Sequence, residues 1–326
     1  PVYLLLIGAF VAPGRPWWVP GLTMFVMYLI GPVVAAFVAL VLKRTLLRGE
    51  TPVFVMEMPV YKWPSLRTVL RRVYDAGWQF IRRAGTIILA TMVLVWALLN
   101  FPQRDAAGQL YQDRLNKADE QIAAQGMNRE EIEKEISEKY KQRHDLIKSG
   151  AATEQVATLT QEIDGLEDRV APFYRIEEEW KTNSYLGRFG RTLEPLVRPM
   201  GWDWRIGVAA LASFPAREVV VGTLGILFRV GEVDAGSIRD ADDAGDTRLG
   251  RALRNAKRDN AAPVFTLPTA LSLMVFFALC CQCGSTLAVI RRETKSWAWP
   301  AFTFAYMTAL AYVAATIVYQ VGSLIA

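Results

Sequence analysis

The sequence predicts an all-α polytopic membrane bundle with a broken, re-entrant gate helix and an inserted soluble helical hairpin of coiled-coil type. Three observations predict it. Several stretches carry almost no charge over about 18 residues or more, the length that crosses roughly 30 Å of hydrocarbon. One internal stretch, residues 102–183, is almost wholly polar. A third stretch, residues 205–228, is apolar at both ends but interrupted by Pro215, Arg217 and Glu218.

Composition supports a membrane class. Of 326 residues 52% are hydrophobic, and ten are Trp. The net charge of +5 comes from basic residues clustered beside apolar spans. There they set orientation and touch anionic lipid, so no nucleic-acid partner is inferred. The three cysteines all lie between Cys280 and Cys283, which excludes a disulfide framework elsewhere. Pro1 stands inside an apolar run, as expected of a chain that starts partway through a longer protein.

Residues 2–12 read as the remainder of one span. Pro13, Gly14 and Pro16 then turn the chain, with Trp17 and Trp18 as interface anchors. Residues 21–42 form a complete span that ends at Lys43 and Arg44, and the positive-inside rule places that end in the cytoplasm. From Ser65, a plain N-cap, Leu66, Val69, Leu70, Val73, Trp78 and Ile81 keep helical spacing opposite Arg67, Arg71, Arg72, Arg82 and Arg83. This pattern, over about residues 65–83, describes a helix lying on the cytoplasmic membrane surface. Residues 84–101 span outwards, so residues 1–101 make a first membrane unit with that surface helix.

Residues 102–183 form the extracytoplasmic insertion. Val156, Leu159, Ile163, Leu166 and Val170 alternate steps of three and four, the a/d pattern of a coiled coil. An earlier arm offers Ile132, Ile136, Tyr140 and Leu146 with Ile147, across a turn at residues 148–153. His144, the only histidine, reads as a solvated helix position. Residues 184–326 return to the membrane as a second gate repeat and C-terminal helices. Residues 185–200 are amphipathic, 229–260 a polar loop, 267–290 a span ending at Arg291 and Arg292, and 302–325 the last span after Trp297 and Trp299. For both cytoplasmic ends to hold, residues 205–228 make no net crossing, which a broken re-entrant hairpin satisfies.

Three constellations carry chemistry. Glu218, beside Pro215 and Arg217, is a hard oxygen ligand or gate carboxylate, or else half of a structural ion pair. Cys280 and Cys283, three apart, share a helix face and suit a borderline-soft divalent metal; equally, cysteine is a small residue at home in buried helices. Glu57, between Met56 and Met58, is either a ligand or an interfacial turn residue ahead of Pro59. The sequence holds neither a P-loop nor a catalytic triad, so no enzyme activity is assigned.

Three long segments resemble the membrane domain of the ferrous iron transport protein B (FeoB) family. They are RGETPVFVMEMPVYKWPSLRTVLRRVYDAGWQFIRRAGTIIL, LGRFGRTLEPLVRPMGWDWRIGVAALASFPAREVVVGTLGILF and CQCGSTLAVIRRETKSWAWPAFTFAYMTALAYVAATIVYQVG. The resemblance implies Fe²⁺ as the transported ion, taken up across the bacterial inner membrane by a multi-pass permease. It further implies that GTP and Mg²⁺ belong to an N-terminal GTPase domain that this chain lacks, and that a small FeoA-type cytoplasmic partner and a homo-oligomer are to be looked for. Carried over by position, Cys283 matches the membrane cysteine that handles iron and Glu218 the acidic position of the [KR]EVVV motif. Gln282 replaces the proline many members place before that cysteine. Other classes are a gate-type transporter for a nucleoside-like solute, which the scarcity of hydrogen-bonding groups in the spans opposes, and a membrane-anchored scaffold built on the hairpin.

Overall fold

The computed structural model describes residues 2–46, 63, 65–80, 85–149, 153–213, 219–228, 247–258, 262–280 and 284–325. Among them the secondary structure is helical, with two isolated β-bridges. The chain opens with α1 (Val2–Leu6), which continues into a π-helical segment, Ile7–Val11. It is buried, with Leu5 and Leu6 fully enclosed. The long helix α2 (Trp18–Arg44) packs on that segment and on Leu267–Leu279, and presents Leu22, Phe25, Leu29, Val33, Phe37 and Leu40 outwards. An apolar surface of that extent matches lipid rather than water.

Helix α3 (Leu66–Phe80) starts where Ser65 Oγ accepts the Thr68 N–H at 3.4 Å, as the sequence predicts for its N-cap. Leu66, Val69, Leu70, Val73 and Trp78 are exposed on it. Residues 81–84, the end of the expected surface helix, lie outside the described residues. Helix α4 (Thr86–Asn100) follows.

Among the described residues the polar insertion contains three helices rather than two: α5 (Tyr111–Ala123), α6 (Arg129–Lys148) and α7 (Thr153–Asn183). Glu131 closes a capping box at the start of α6 by accepting the Asn128 N–H at 3.1 Å. α6 runs antiparallel to α7, because Glu133 early in α6 accepts from Tyr174 late in α7, while Lys139 further along α6 meets Glu162 earlier in α7 at 2.6 Å. Their shared core is Ile132, Ile136, Tyr140, Ile163, Val170 and Tyr174, with Leu159 and Leu166 against it. Ile147, expected inside, is exposed, and His144 is half-buried. α5, which the periodicity does not reveal, packs along α7. α7 continues through Pro172 because Val170, Phe173 and Tyr174 bury there, which offsets the lost backbone donor.

α8 (Tyr185–Val197) is capped by Ser184, whose Oγ accepts the Gly187 N–H at 3.1 Å. A 3₁₀ turn, Arg198–Met200, leads to α9 (Trp204–Ala212) and α10 (Val219–Leu227). Then come α11 (Arg248–Asn255), α12 (Leu267–Leu279), α13 (Gly284–Thr294) and α14 (Ala298–Ile325). By length and hydropathy α2 and α14 can cross a membrane, while Val2–Val11 and α12 are shorter apolar helices. One continuous buried cluster joins α1, α9, α10, α11 and α12.

Candidate functional site

Three short helices, α9, α10 and α12, build the centre of that cluster. Asp203 caps α9 by accepting the Ile206 N–H at 3.0 Å. α9 stops at Ala212, where Ser213 donates to the Ala210 carbonyl at 2.6 Å. α10 packs beside α9, and the Arg205 guanidinium in the first turn of α9 lies 5.3 Å from the ring of Phe228, just past α10. The chain therefore returns to the end it left.

The other interrupted stretch comprises α12 and α13. Thr266 caps α12, with Oγ1 3.4 Å from the Thr269 nitrogen, and Pro268 sits in the first turn. α12 and α13 both pack on α14, and α12 runs antiparallel to it. Gly322, near the end of α14, faces Pro268 so closely that an added Cβ would lie 3.0 Å from Pro268 Cβ.

The stretch expected as one span, residues 267–290, is thus interrupted. Cys280 takes an extended backbone (φ −77°, ψ 147°), and its N–H donates to the Phe276 carbonyl at 2.9 Å. The regular helical spacing that put Cys280 and Cys283 on one face does not hold at Cys280. The helix stops where the apolar run gives way in sequence to cysteines and Gly284, weaker helix formers than the leucines before them. Cys280 is 3% exposed and belongs to the main core. Cys283, Glu218 and Glu57, with Arg217 and Cys281, lie outside the described residues. Glu218 directly precedes α10 and Cys283 directly precedes α13 in sequence. The flanks of both interruptions, Ala212 and Val220 on one side and Leu279 and Cys280 on the other, share the main core.

The turn before α9 is tied to α12. Ser272 Oγ donates to the Met200 carbonyl at 3.0 Å, and the Trp202 ring meets Phe276 edge-to-face at 4.9 Å. Tyr312 and Gln320 of α14 donate to the Leu196 and Pro199 carbonyls at 2.9 and 3.1 Å. At the start of α9, Arg205 lies between Asp203 (3.7 Å) and Glu178 of α7 (4.0 Å).

Four buried hydroxyls stand beside the thiols and carboxylates that the sequence singles out. Ser213, Thr223, Thr269 and Ser272 are all buried in the interrupted helices. Thr223 donates to the Val219 carbonyl at 2.9 Å. The available signal was a hydroxyl residue inside each apolar run. Among the described residues no three His, Cys, Asp or Glu side chains converge on a metal-sized site.

An all-helical bundle with interrupted helices in its core and apolar helices long enough to span a bilayer defines a gate-type membrane protein. A gate family described as nucleoside recognition matches residues 81–297, about two thirds of the chain, and the family described as ferrous iron transport protein B C terminus matches residues 24–75. The chain belongs to the ferrous iron transport protein B family and carries its gate. It is 34% identical to the Fe(2+) transporter FeoB of Leptospira interrogans, over 99% of this chain and 37% of that protein. It is 28% identical to the Fe(2+) transporter FeoB of Helicobacter pylori strain J99, over 96% of this chain and 40% of that protein. A Porphyromonas gingivalis fusion of Fe(2+) transport protein A with Fe(2+) transporter FeoB is 30% identical over 99% of this chain and 33% of its own length. The chain spans little more than a third of the relatives it matches. No solved structure matches it.

Proposed function

We propose that this chain forms the membrane gate of a ferrous iron permease that passes Fe²⁺ across the bacterial inner membrane. The observation that carries the reading is the buried Cys280 at the end of α12, in the same core as the α9–α10 pair. A soft thiolate combined with hard oxygen ligands holds Fe²⁺ loosely enough for exchange, whereas a closed set of thiolates would retain it. Cys283 is the principal ligand in this proposal, Glu218 supplies a carboxylate, Cys280 assists, and Glu57 serves at the cytoplasmic side. The α9–α10 pair is read as a re-entrant hairpin, which agrees with the return of Phe228 to Arg205. The α5–α7 insertion then lies outside the cell, α3 lies on the cytoplasmic surface, and residues 1–101 and 184–326 form the membrane body. Coupling to GTP hydrolysis belongs to a GTPase domain outside this chain. A FeoA-type partner is supported by the Porphyromonas gingivalis fusion.

The test is uptake of radiolabelled iron by the complete protein carrying Cys283→Ser, Glu218→Gln or Cys280→Ser. Loss with the first two and a partial decrease with the third are expected. Unchanged uptake by Cys283→Ser across iron concentrations would remove that residue from the path. The description of the matching gate family favours one second reading, a nucleoside-like solute. Competition of nucleosides against iron uptake separates the two.

A further inference from the structure

α11 joins the insertion to the core, and its two faces do different things. Thr247 caps it by accepting the Gly250 N–H at 3.1 Å. Leu249 and Leu253 on its inner face are 1% and 0% exposed, and α11 packs on the π segment Ile7–Val11. Immediately there, Phe265 stacks on Phe10 at 5.7 Å and meets Phe228 edge-on at 5.6 Å. These three rings come from the π segment, the end of α10 and the approach to α12. They converge at the end of the bundle where α9 and α12 begin. Leu249 and Leu253 share their buried cluster.

The outer face of α11 is basic and lies on α6 and α7. Arg251 Nη2 reaches Asp164 Oδ1 at 2.8 Å, and Arg251 Nη1 donates to the Tyr140 hydroxyl at 3.1 Å. Tyr140 donates to Glu167 at 3.0 Å, and Glu167 lies 3.5 Å from Arg248 Nε. Beside these contacts runs a cavity of about 440 Å³, lined by Asp168, Arg175 and Asn255 among others. The far end of this segment is tied down as well, since Arg258 donates to the Gly201 carbonyl at 2.6 Å. The inner face is apolar and closely packed, while the outer contact is polar and beside a cavity, so the outer contact is the one that water can replace.

We propose that α11 is a strap that holds the Phe10–Phe265–Phe228 seal closed, and that the α6–α7 pair is its keeper. Access to the core from this end requires Arg251 to leave Asp164 and Tyr140, which frees α11 to lift Leu249 and Leu253 off the π segment. A ring of apolar side chains closes a pathway by excluding water, so lifting its cover admits water and ions together. The insertion thereby acts on the gate through one short helix. The strap's role as a gate rests on the permease reading, but its release is a physical event that is measured without iron.

The experiment uses the complete protein in nanodiscs with Leu253→Cys as reporter, labelled by a maleimide and read by peptide mass spectrometry so that the native cysteines are told apart. Asp164→Arg sets two like charges together at a side chain already 53% exposed, so α6–α7 packing is left intact. It is expected to speed labelling at position 253 about fivefold, as loss and reversal of a part-exposed ion pair should. The exchanged pair Asp164→Arg with Arg251→Asp is expected to return the rate to within about twofold of the parent. Tyr140→Phe, which keeps the ring and loses the hydroxyl, is expected to speed it by about two- to threefold. An unchanged rate in Asp164→Arg overturns the strap, and so does an exchanged pair that labels as fast as the single variant. Iron uptake by the parent with an unmoved labelling rate in Asp164→Arg sinks the strap alone. The expected labelling pattern in a protein that takes up no iron sinks only the permease reading.

Discussion

Lys181 Nζ donates a 2.6 Å hydrogen bond to Asn100 Oδ1, and both side chains are buried. Asn100 ends α4 and Lys181 stands near the end of α7, so this bond seats the insertion on the apolar helix that leads into it. Trp180 Nε1 adds bonds to the Asn100 and Pro102 carbonyls at 3.0 and 3.1 Å, and its ring stacks on Tyr111 at 5.9 Å. Burial pushes the Lys181 ammonium below the usual lysine range, with Glu177 acting in the opposite sense.

Lys181→Met should therefore destabilise the seat of the insertion. It removes a costly buried charge but leaves Asn100 Oδ1 without its donor, a net loss of about 1–3 kcal/mol. Adding Asn100→Leu should recover part of that loss, because the orphaned acceptor goes too. Hydrogen exchange of the α5 and α7 amides in the two variants measures both steps. Equal protection in parent and Lys181→Met would show that the bond contributes nothing.

Stability of the insertion should fall at high pH. Burial pushes Tyr140 up to about 12, with Glu167 adding to the rise, and burial pushes Tyr174 up to about 12 against the opposing pull of Arg248. Below pH of about 10 both folded and unfolded tyrosines keep their protons, so there is no effect. As pH rises from about 10 towards 12 the unfolded chain loses protons that the folded one keeps, and stability falls by on the order of 2 kcal/mol per tyrosine. Chemical unfolding of the parent and of Tyr140→Phe across this range checks it; the phenylalanine variant should show the shallower decline.

Gly201 should resist substitution for two separable reasons. Its φ is +78°, and a Cβ there would lie 2.1 Å from the Tyr319 ring. Gly201→Ala should cost about 2–4 kcal/mol, combining backbone strain with overpacking. Tyr319→Ala in the same chain should relieve the clash but leave roughly 1 kcal/mol of strain relative to Tyr319→Ala alone. Thermal melting in detergent reads both. The same measurement applies to Gly190, where a Cβ would meet Val208 Cγ2 at 2.2 Å between α8 and α9.

α3 should be held by anionic lipid. Its Leu66, Val69, Leu70, Val73 and Trp78 are exposed apolar groups on the helix that carries Arg67, Arg71 and Arg72. Exchange of the α3 amides should be slower in anionic than in zwitterionic nanodiscs, and Arg71→Glu with Arg72→Glu should erase the difference. Equal exchange in both lipids for the parent would rule out a headgroup contact.

The candidate site was legible in residue type more than in shape. Cysteines, a carboxylate and a helix-breaking proline in apolar runs single out residues 215–218 and 280–283 without any structure, because such groups are costly in lipid. Helical spacing predicts Cys280 inside a continuous helix, whereas α12 ends at Leu279. Helix ends depend on which carbonyls and side chains neighbouring elements satisfy, and the sequence pattern does not contain those neighbours. The role of the buried hydroxyl of Ser272 is hidden from the sequence for a similar reason: it bonds Met200, 72 positions away in the chain.

What the sequence determined by itself is local. The apolar spans, the exposed apolar face of α3 and the pairing residues Ile132, Ile136, Tyr140, Ile163 and Val170 follow from a hydrophobic period that each segment carries within itself. Only the tertiary structure decided that α12 stops at Leu279 and that α11 lies between the core and the insertion. Its contact from Arg251 to Asp164 spans 87 positions. An arginine has the same local pattern whether it faces water or a carboxylate on another helix, so the partner is chosen by packing and never by the period.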